Sequence, residues 1–205
     1  IKEVNAGRLP IGFGIGGNST KVVVDRLKSE NLAGVDGILS VSPYYNKPSQ
    51  EGIYQHFKAV SDATPLPVIM YNVPGRTGSA VSVETTLRIA ALPNVVATKE
   101  ASGSLDICMD LVMGKPEEFG IISGEDSYTM PFIAVGMQGV ISVIGNAYPK
   151  EFSQMVNAAL AGDFKMAKEI QYKLLPIMKA IFMDGNPGGV KYVLAKMGVC
   201  GNHFR

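Results

Sequence analysis

The chain has 205 residues, 46% of them apolar and 18% charged, with a formal net charge of +1. That suffices for one domain with a sizeable core, and a near-neutral balance without blocks of like charge points away from nucleic acid or a membrane surface as the main partner. No apolar run reaches the roughly 18 residues of a membrane span, and the two cysteines, Cys108 and Cys200, make neither a disulfide framework nor a metal-ligand spacing, so a reducing cytoplasm is the expected compartment.

Residues 1–8 lack an initiator Met and the apolar stretch of a signal peptide, and they read as the end of a helix; the chain is expected to be cut from something longer. Short apolar runs suited to buried strands follow at 9–15, 37–41, 67–71, 95–99, 119–123 and 140–143, their starts roughly 20–30 residues apart, the repeat of a βα unit. In the first run Gly12, Gly14 and Gly17 fit the dinucleotide fingerprint G-x-G-x-x-G. Two of them lie inside the strand, and the next strand ends in Ser40, Val41 and Ser42 with no acid for a ribose, so nicotinamide binding is not expected. The glycines read instead as room at a crowded strand end.

Ser49 is placed to cap a helix whose Ile53, Phe57 and Val60 share one face, and Ser82 to cap another with Val83, Leu87 and Ala90. His56 lies on the first of these helices and is expected to be half-exposed. With His203 it forms no cluster with acids or cysteines, and no metal site is expected. After the sixth run the pattern changes to three helices over 149–160, 163–182 and 187–197, the second bent at Pro176.

The near-continuous apolar strands predict a parallel α/β sheet covered on both faces. Six βα units suit either an open doubly wound sheet or most of an eight-stranded barrel. A whole barrel takes about 250 residues, so the fit is a (β/α)8 TIM barrel lacking its first two strands. Residues 1–148 would supply strands three to eight, and 149–205 a helical segment packed on the barrel in the same structural unit. No linker divides the chain.

In such a sheet the reactive groups stand at the carboxyl ends of strands. Those ends read Pro43 to Asn46, Tyr71 to Pro74, Lys99 to Ala101, Ser123 to Asp126 and Ile141 to Ser142, and polar and titratable residues concentrate there. Lys99 closes an apolar strand, where burial favours a neutral amine able to attack a ketone; the plain alternative is a lysine that snorkels out and pairs with Glu100 or another carboxylate. Tyr45 and Tyr71 could relay protons beside it, or simply pack at the rim with wet hydroxyls. Arg76, after a Val-Pro-Gly turn, could grip a carboxylate or form a surface ion pair.

Five motifs in this order, SPYYNKPSQEG at 42–52, YNVPGRTG at 71–78, KEASG at 99–103, SGED at 123–126 and GVISV at 139–143, resemble the dihydrodipicolinate synthase family over essentially the whole chain. A strand-end lysine and a tyrosine one strand earlier mark a wider group of pyruvate-dependent lyases that includes N-acetylneuraminate lyase, whereas the NVPGRTG run is narrower. The resemblance implies a lyase in which Lys99 forms a Schiff base with pyruvate, and the derived enamine attacks L-aspartate 4-semialdehyde to give 4-hydroxy-tetrahydrodipicolinate, on the route to diaminopimelate and lysine. It implies Tyr71 as proton donor and acceptor, and Tyr45 as a relay completing the neighbouring subunit's site in a homodimer or homotetramer. It implies Arg76 at the semialdehyde carboxylate, and Gly124 and Ile141 near pyruvate. It implies no cofactor.

Two departures accompany the likeness. The family's Gly-Thr-Thr-Gly-Glu segment, whose threonines hold the pyruvate carboxylate, is absent from these residues, so the chain as given is expected to lack full activity. The family's Asn-Pro-x-Pro-Val-Lys pattern stands as NPGGVK at 186–191. Two other readings stay open: a sialic acid or keto-deoxy-sugar lyase, which an arginine at position 76 disfavours, and a non-catalytic barrel. The resemblance also implies Asn18 and Tyr44 at a lysine-inhibitor site, but Val22 stands where inhibited members carry an acid. Loss of that partner for the inhibitor's amino group predicts weak or no inhibition by lysine; an activity titration showing inhibition at micromolar lysine would refute it.

Overall fold

A computed structural model describes residues 1–203. In chain order the elements are α1 (Lys2–Asn5), β1 (Gly12–Gly14), α2 (Thr20–Ser29), β2 (Gly37–Val41), α3 (Gln50–Asp62), β3 (Val68–Asn72), α4 (Pro74–Thr77), α5 (Val83–Ala90), β4 (Val95–Glu100), α6 (Leu105–Gly114), β5 (Gly120–Ser123), α7 (Thr129–Ala134), α8 (Pro149–Leu160), α9 (Phe164–Phe182) and α10 (Gly188–Lys196). The five strands form one sheet in sequential order β1-β2-β3-β4-β5, and β1 through β4 pair in parallel. Contacts divide the chain into two compact units, Ile1–Ile121 and the residues from Ile122 onward. Among the described residues no helix is long and apolar enough to cross a membrane.

In the first unit, α3, α5 and α6 begin where the sequence supplies an acceptor for an orphan N–H group of the first turn. Ser49 Oγ accepts from the Gly52 N–H at 3.1 Å, Ser82 Oγ from the Thr85 N–H at 3.1 Å, and Ser104 Oγ from the Ile107 N–H at 3.3 Å. Helix α3 buries Ile53, Phe57 and Val60 completely, as its spacing predicts. Helix α5 departs from expectation: Thr85, Thr86, Ile89 and Ala90 form its buried face, while Val83 and Leu87 are half-buried. Leu87 lies instead against the end of α6, where a methyl added to Gly114 would stand 2.8 Å from Leu87 Cδ1.

Burial in β2 and β3 alternates residue by residue rather than being equal on both faces. Ile38, Ser40, Val68, Met70 and Asn72 are fully buried, whereas Leu39, Val41, Ile69 and Tyr71 on the other face are half-buried. The close approach expected of the β1 glycines falls at Gly16, where an added methyl would lie 2.7 Å from Val41 Cγ1; Gly12 and Gly14 face open space.

The second unit has a core of Ile144, Phe152, Met155, Leu174, Met178 and Ile181, supplied mainly by α8 and α9. Asp163 caps α9 through the Met166 N–H at 3.0 Å, and Pro176 lies within that helix. The NPGGVK segment gains a physical reading here. A methyl on Gly189 would stand 1.9 Å from the Ile181 carbonyl oxygen, so the start of α10 approaches α9 too closely for any side chain. The sixth strand expected at 140–143 is not formed, and only an isolated bridge joins Val140 to Ser123. The next backbone donors turn elsewhere: the N–H groups of Val143 and Ile144 donate to the Asp126 carboxylate at 3.1 and 2.8 Å, and that of Gly145 to Ser142 Oγ at 2.8 Å.

His56 differs from its expected half-exposure. It is 1% exposed, its Nδ1 lies 2.8 Å from Thr20 Oγ1, and its ring stands edge-on to Phe57. Burial drives its pKa down to about 4. Above pH 6.5 the ring is neutral in both folded and unfolded chains; below it the unfolded chain takes the proton first, so stability falls as pH drops from about 6.5 towards about 4. By pH 5 the loss from this residue is about 2 kcal/mol. Urea denaturation at pH 7.5 and pH 5 checks it: His56→Gln should cost stability at the higher pH and narrow the gap to the unaltered protein at the lower.

Candidate active site

Strands β3 and β4 end side by side, and their register pairs Tyr71 with Lys99 and Asn72 with Glu100. Side chains alternate across a strand, so the two pairs project to opposite faces. On the half-buried face, Lys99 Nζ lies 4.3 Å from the centroid of the Tyr71 ring.

On the buried face, Asn72 Nδ2 donates to Glu100 Oε2 at 2.8 Å and Asn72 Oδ1 accepts from the Val81 N–H at 3.1 Å. Glu100 Oε1 accepts from the Ser102 N–H at 2.7 Å. Both residues are at most 1% exposed. Burial pushes the Glu100 carboxyl above its usual pKa, against the lowering influence of its bonds to Asn72 and Ser102. Glu100 therefore faces away from the Lys99 side of the strand and is engaged by neutral donors, so it is not the partner of Lys99. Cys108, fully buried, has its thiol pushed up to about 12 by burial and by the Glu100 charge, so it stays protonated and inert.

The turn after β3 carries Arg76. Pro74 opens the single turn of α4, and Gly78 closes it with φ 76°, its N–H donating to the Pro74 carbonyl at 3.0 Å. A cavity of about 400 Å³ at these strand ends is lined by Tyr44, Tyr71 and the exposed Arg76, over a floor that includes Gly16, Leu39 and Val41. Tyr45 does not join it: the side chain is 87% exposed. Its φ of 73° is a left-handed conformation that a tyrosine rarely adopts. The strained turn is tied down by the Tyr45 N–H donating to the Thr77 carbonyl at 3.2 Å and by Asn46 Nδ2 donating to the Asn18 carbonyl at 3.3 Å. Asn18 is exposed, and Val22, 54% exposed, sits in the first turn of α2.

In the second unit, Gly124 and Ile141 are both half-buried. They are held as neighbours through Ser123, whose N–H donates to the Gly139 carbonyl at 2.8 Å and whose carbonyl accepts from the Ile141 N–H at 3.0 Å. Asp126 completes this loop from beneath through Val143 and Ile144. Asn72, Glu100 and Asp126 escape sequence reasoning because each stands beside a more conspicuous reactive residue. For Asn72 and Glu100 the signal is alternation: each ends its strand one position past Tyr71 or Lys99 and so faces the opposite, buried side.

A parallel α/β sheet with a lysine and a tyrosine in contact at adjacent carboxyl strand ends defines the class: α/β proteins whose site is built on the strand ends. The chain belongs to the dihydrodipicolinate synthetase family, whose model matches residues 1–205. It is 54% identical to the 4-hydroxy-tetrahydrodipicolinate synthase of Parabacteroides distasonis over 200 residues, 97% of this chain and 67% of that relative. Two solved structures, each covered over 70% of its chain by all of this one, superpose with a TM-score of 0.96. They are the dihydrodipicolinate synthase of Aquifex aeolicus at 41% identity, and the chloride-inhibited enzyme of Acinetobacter baumannii complexed with pyruvate at 38%.

The Asp126 carboxylate substitutes for a strand by accepting two backbone N–H groups. Asp126→Asn keeps the size but turns an amide donor towards one of them. It should lower stability by about 1–3 kcal/mol in chemical denaturation, with a larger loss for Asp126→Ala.

Proposed function

We infer that the chain carries 4-hydroxy-tetrahydrodipicolinate synthase activity, condensing pyruvate, held as a Schiff base on Lys99, with L-aspartate 4-semialdehyde. The observation that carries this reading is the contact of Lys99 Nζ with the Tyr71 ring, 4.3 Å from its centroid at the ends of adjacent strands, in a chain about half identical to curated synthases over nearly all its length. The amine adds to the pyruvate keto carbon and water leaves, giving an iminium ion. Loss of a methyl proton gives the enamine, whose carbon attacks the semialdehyde aldehyde; ring closure and release from Lys99 follow. The protonated imine serves as the electron sink, so no separate cofactor is invoked.

Tyr71 acts as proton donor and acceptor, its ring already beside the nitrogen. Arg76, lining the cavity with Tyr44 and Tyr71, binds the semialdehyde carboxylate. Gly124 and Ile141 lie beside pyruvate. Tyr45 relays protons into the site of a second copy, in a homodimer or homotetramer; its exposure of 87% and its fixed, strained turn support a side chain presented outward. Residues 1–148 correspond to part of a (β/α)8 barrel, with five of the six expected strands formed, and 149–205 to the helical segment that follows. Two free thiols, buried Cys108 and exposed Cys200, suit a reducing cytoplasm.

Borohydride reduction in the presence of pyruvate tests the reading. A mass adduct on the peptide containing Lys99 is expected, and it should vanish in Lys99→Ala. No adduct on the unaltered protein would sink the Schiff base. With an adduct in hand, product formation from aspartate semialdehyde rather than cleavage of N-acetylneuraminate decides the aldehyde partner.

A further inference from the structure

We propose that Asn72 and Glu100 are positioning residues that lock, from the buried face, the register that sets Lys99 against Tyr71. The proposal rests on the reading of Lys99 as the imine-forming residue. What points to it is a discontinuity in the pairing of β3 with β4. The strands start with Val68 opposite Val95, slip by one residue at Val68/Ile69, and continue with Ile69 opposite Ala97. Without the slip, Tyr71 would stand opposite Thr98, and Lys99 would stand opposite Asn72. The register of the strand start, continued unchanged, would not bring the reactive pair together.

Past the slip a side-chain bond joins the two strands directly. Asn72 donates to Glu100 across the two strands at 2.8 Å. Each partner then reaches on into the loop that follows its strand, Asn72 to the Val81 N–H at 3.1 Å and Glu100 to the Ser102 N–H at 2.7 Å. The main chain adds the Ala101 N–H donating to the Asn72 carbonyl at 2.9 Å. Neither side chain touches the cavity face, so neither is a catalytic residue. They act through the strand positions one residue before them, Tyr71 and Lys99.

The bond has a polarity that can be reversed. In Glu100→Gln the new amide oxygen still accepts from Ser102, but its NH2 meets the NH2 of Asn72. In Asn72→Asp the two carboxylates meet. In Asn72→Asp/Glu100→Gln the new amide donates to the new carboxylate, which also accepts from Val81; every partner is satisfied and the net charge is unchanged. Positioning predicts that each single change slows single-turnover trapping of pyruvate on Lys99 on the order of 100-fold, while the double change recovers most of that loss. His56→Gln, which acts away from the site, should lower stability and leave the trapping rate unaltered.

Single variants that melt lower but trap pyruvate at the unaltered rate would overturn the proposal, as would a double variant that folds and stays slow. Should the single variants not fold, the double variant decides: folding with near-normal trapping supports the lock, and failure in either respect refutes it. Absence of any adduct on the unaltered protein would instead strike the Schiff-base reading itself.

Discussion

The alternation of side chains along a strand is the constraint from which the rest of the site follows. At the ends of β3 and β4, two consecutive residues on each strand face opposite ways, and the parallel register sets them in two rows. One row, Tyr71 and Lys99, is half-buried and in contact. The other, Asn72 and Glu100, is buried and hydrogen-bonded. The proposed chemistry on one face and the fixation on the other are thus one residue apart.

The same device recurs in the second unit with a different partner. There the chain after β5 does not continue as a full strand, and a buried acid, Asp126, collects the N–H groups of Val143 and Ile144. Hydrogen bonds to charged acceptors are worth about 1.5–3 kcal/mol each, enough to hold a short loop without a ladder. In both units, then, a buried carboxylate answered by neutral donors holds the segment beside the residues that resemble a substrate site. Cys108 registers the electrostatic side effect, its thiol pushed up to about 12 by burial and the Glu100 charge.

Much of this was legible in sequence where local rules decide. Ser49 and Ser82 cap the helices their spacing predicts, five of the six apolar runs contain strands, and the strand-end position of Lys99 marks it before any geometry is known. The failures have particular causes. The run at 140–143 has the composition of a strand, but periodicity does not reveal that Asp126 competes for its donors. The spacing of Val83 and Leu87 reads as a core stripe, yet the neighbouring helix end at Gly114 takes Leu87. His56 looks polar enough to be wet, and only the Thr20 hydroxyl 36 positions away makes its burial intelligible. The bond between Asn72 and Glu100 goes unforeseen because partners 28 positions apart leave no local pattern.

Hydrophobic burial alone would not select the working register. Strand β3 runs Val68, Ile69, Met70, apolar at each position, so sliding it by one step against β4 exchanges one apolar residue for another on the buried face and changes the burial energy little. The polar step at the strand end changes that balance. A one-residue slip would turn Asn72 to the other face and leave the Glu100 carboxylate buried without its donor, and an unpaired buried polar group costs about 1–3 kcal/mol, more when charged. Two adjacent polar residues thereby discriminate between registers that the apolar run leaves nearly equal, and they do so at the one level of the sheet where the difference decides whether an amine and a phenol ring meet.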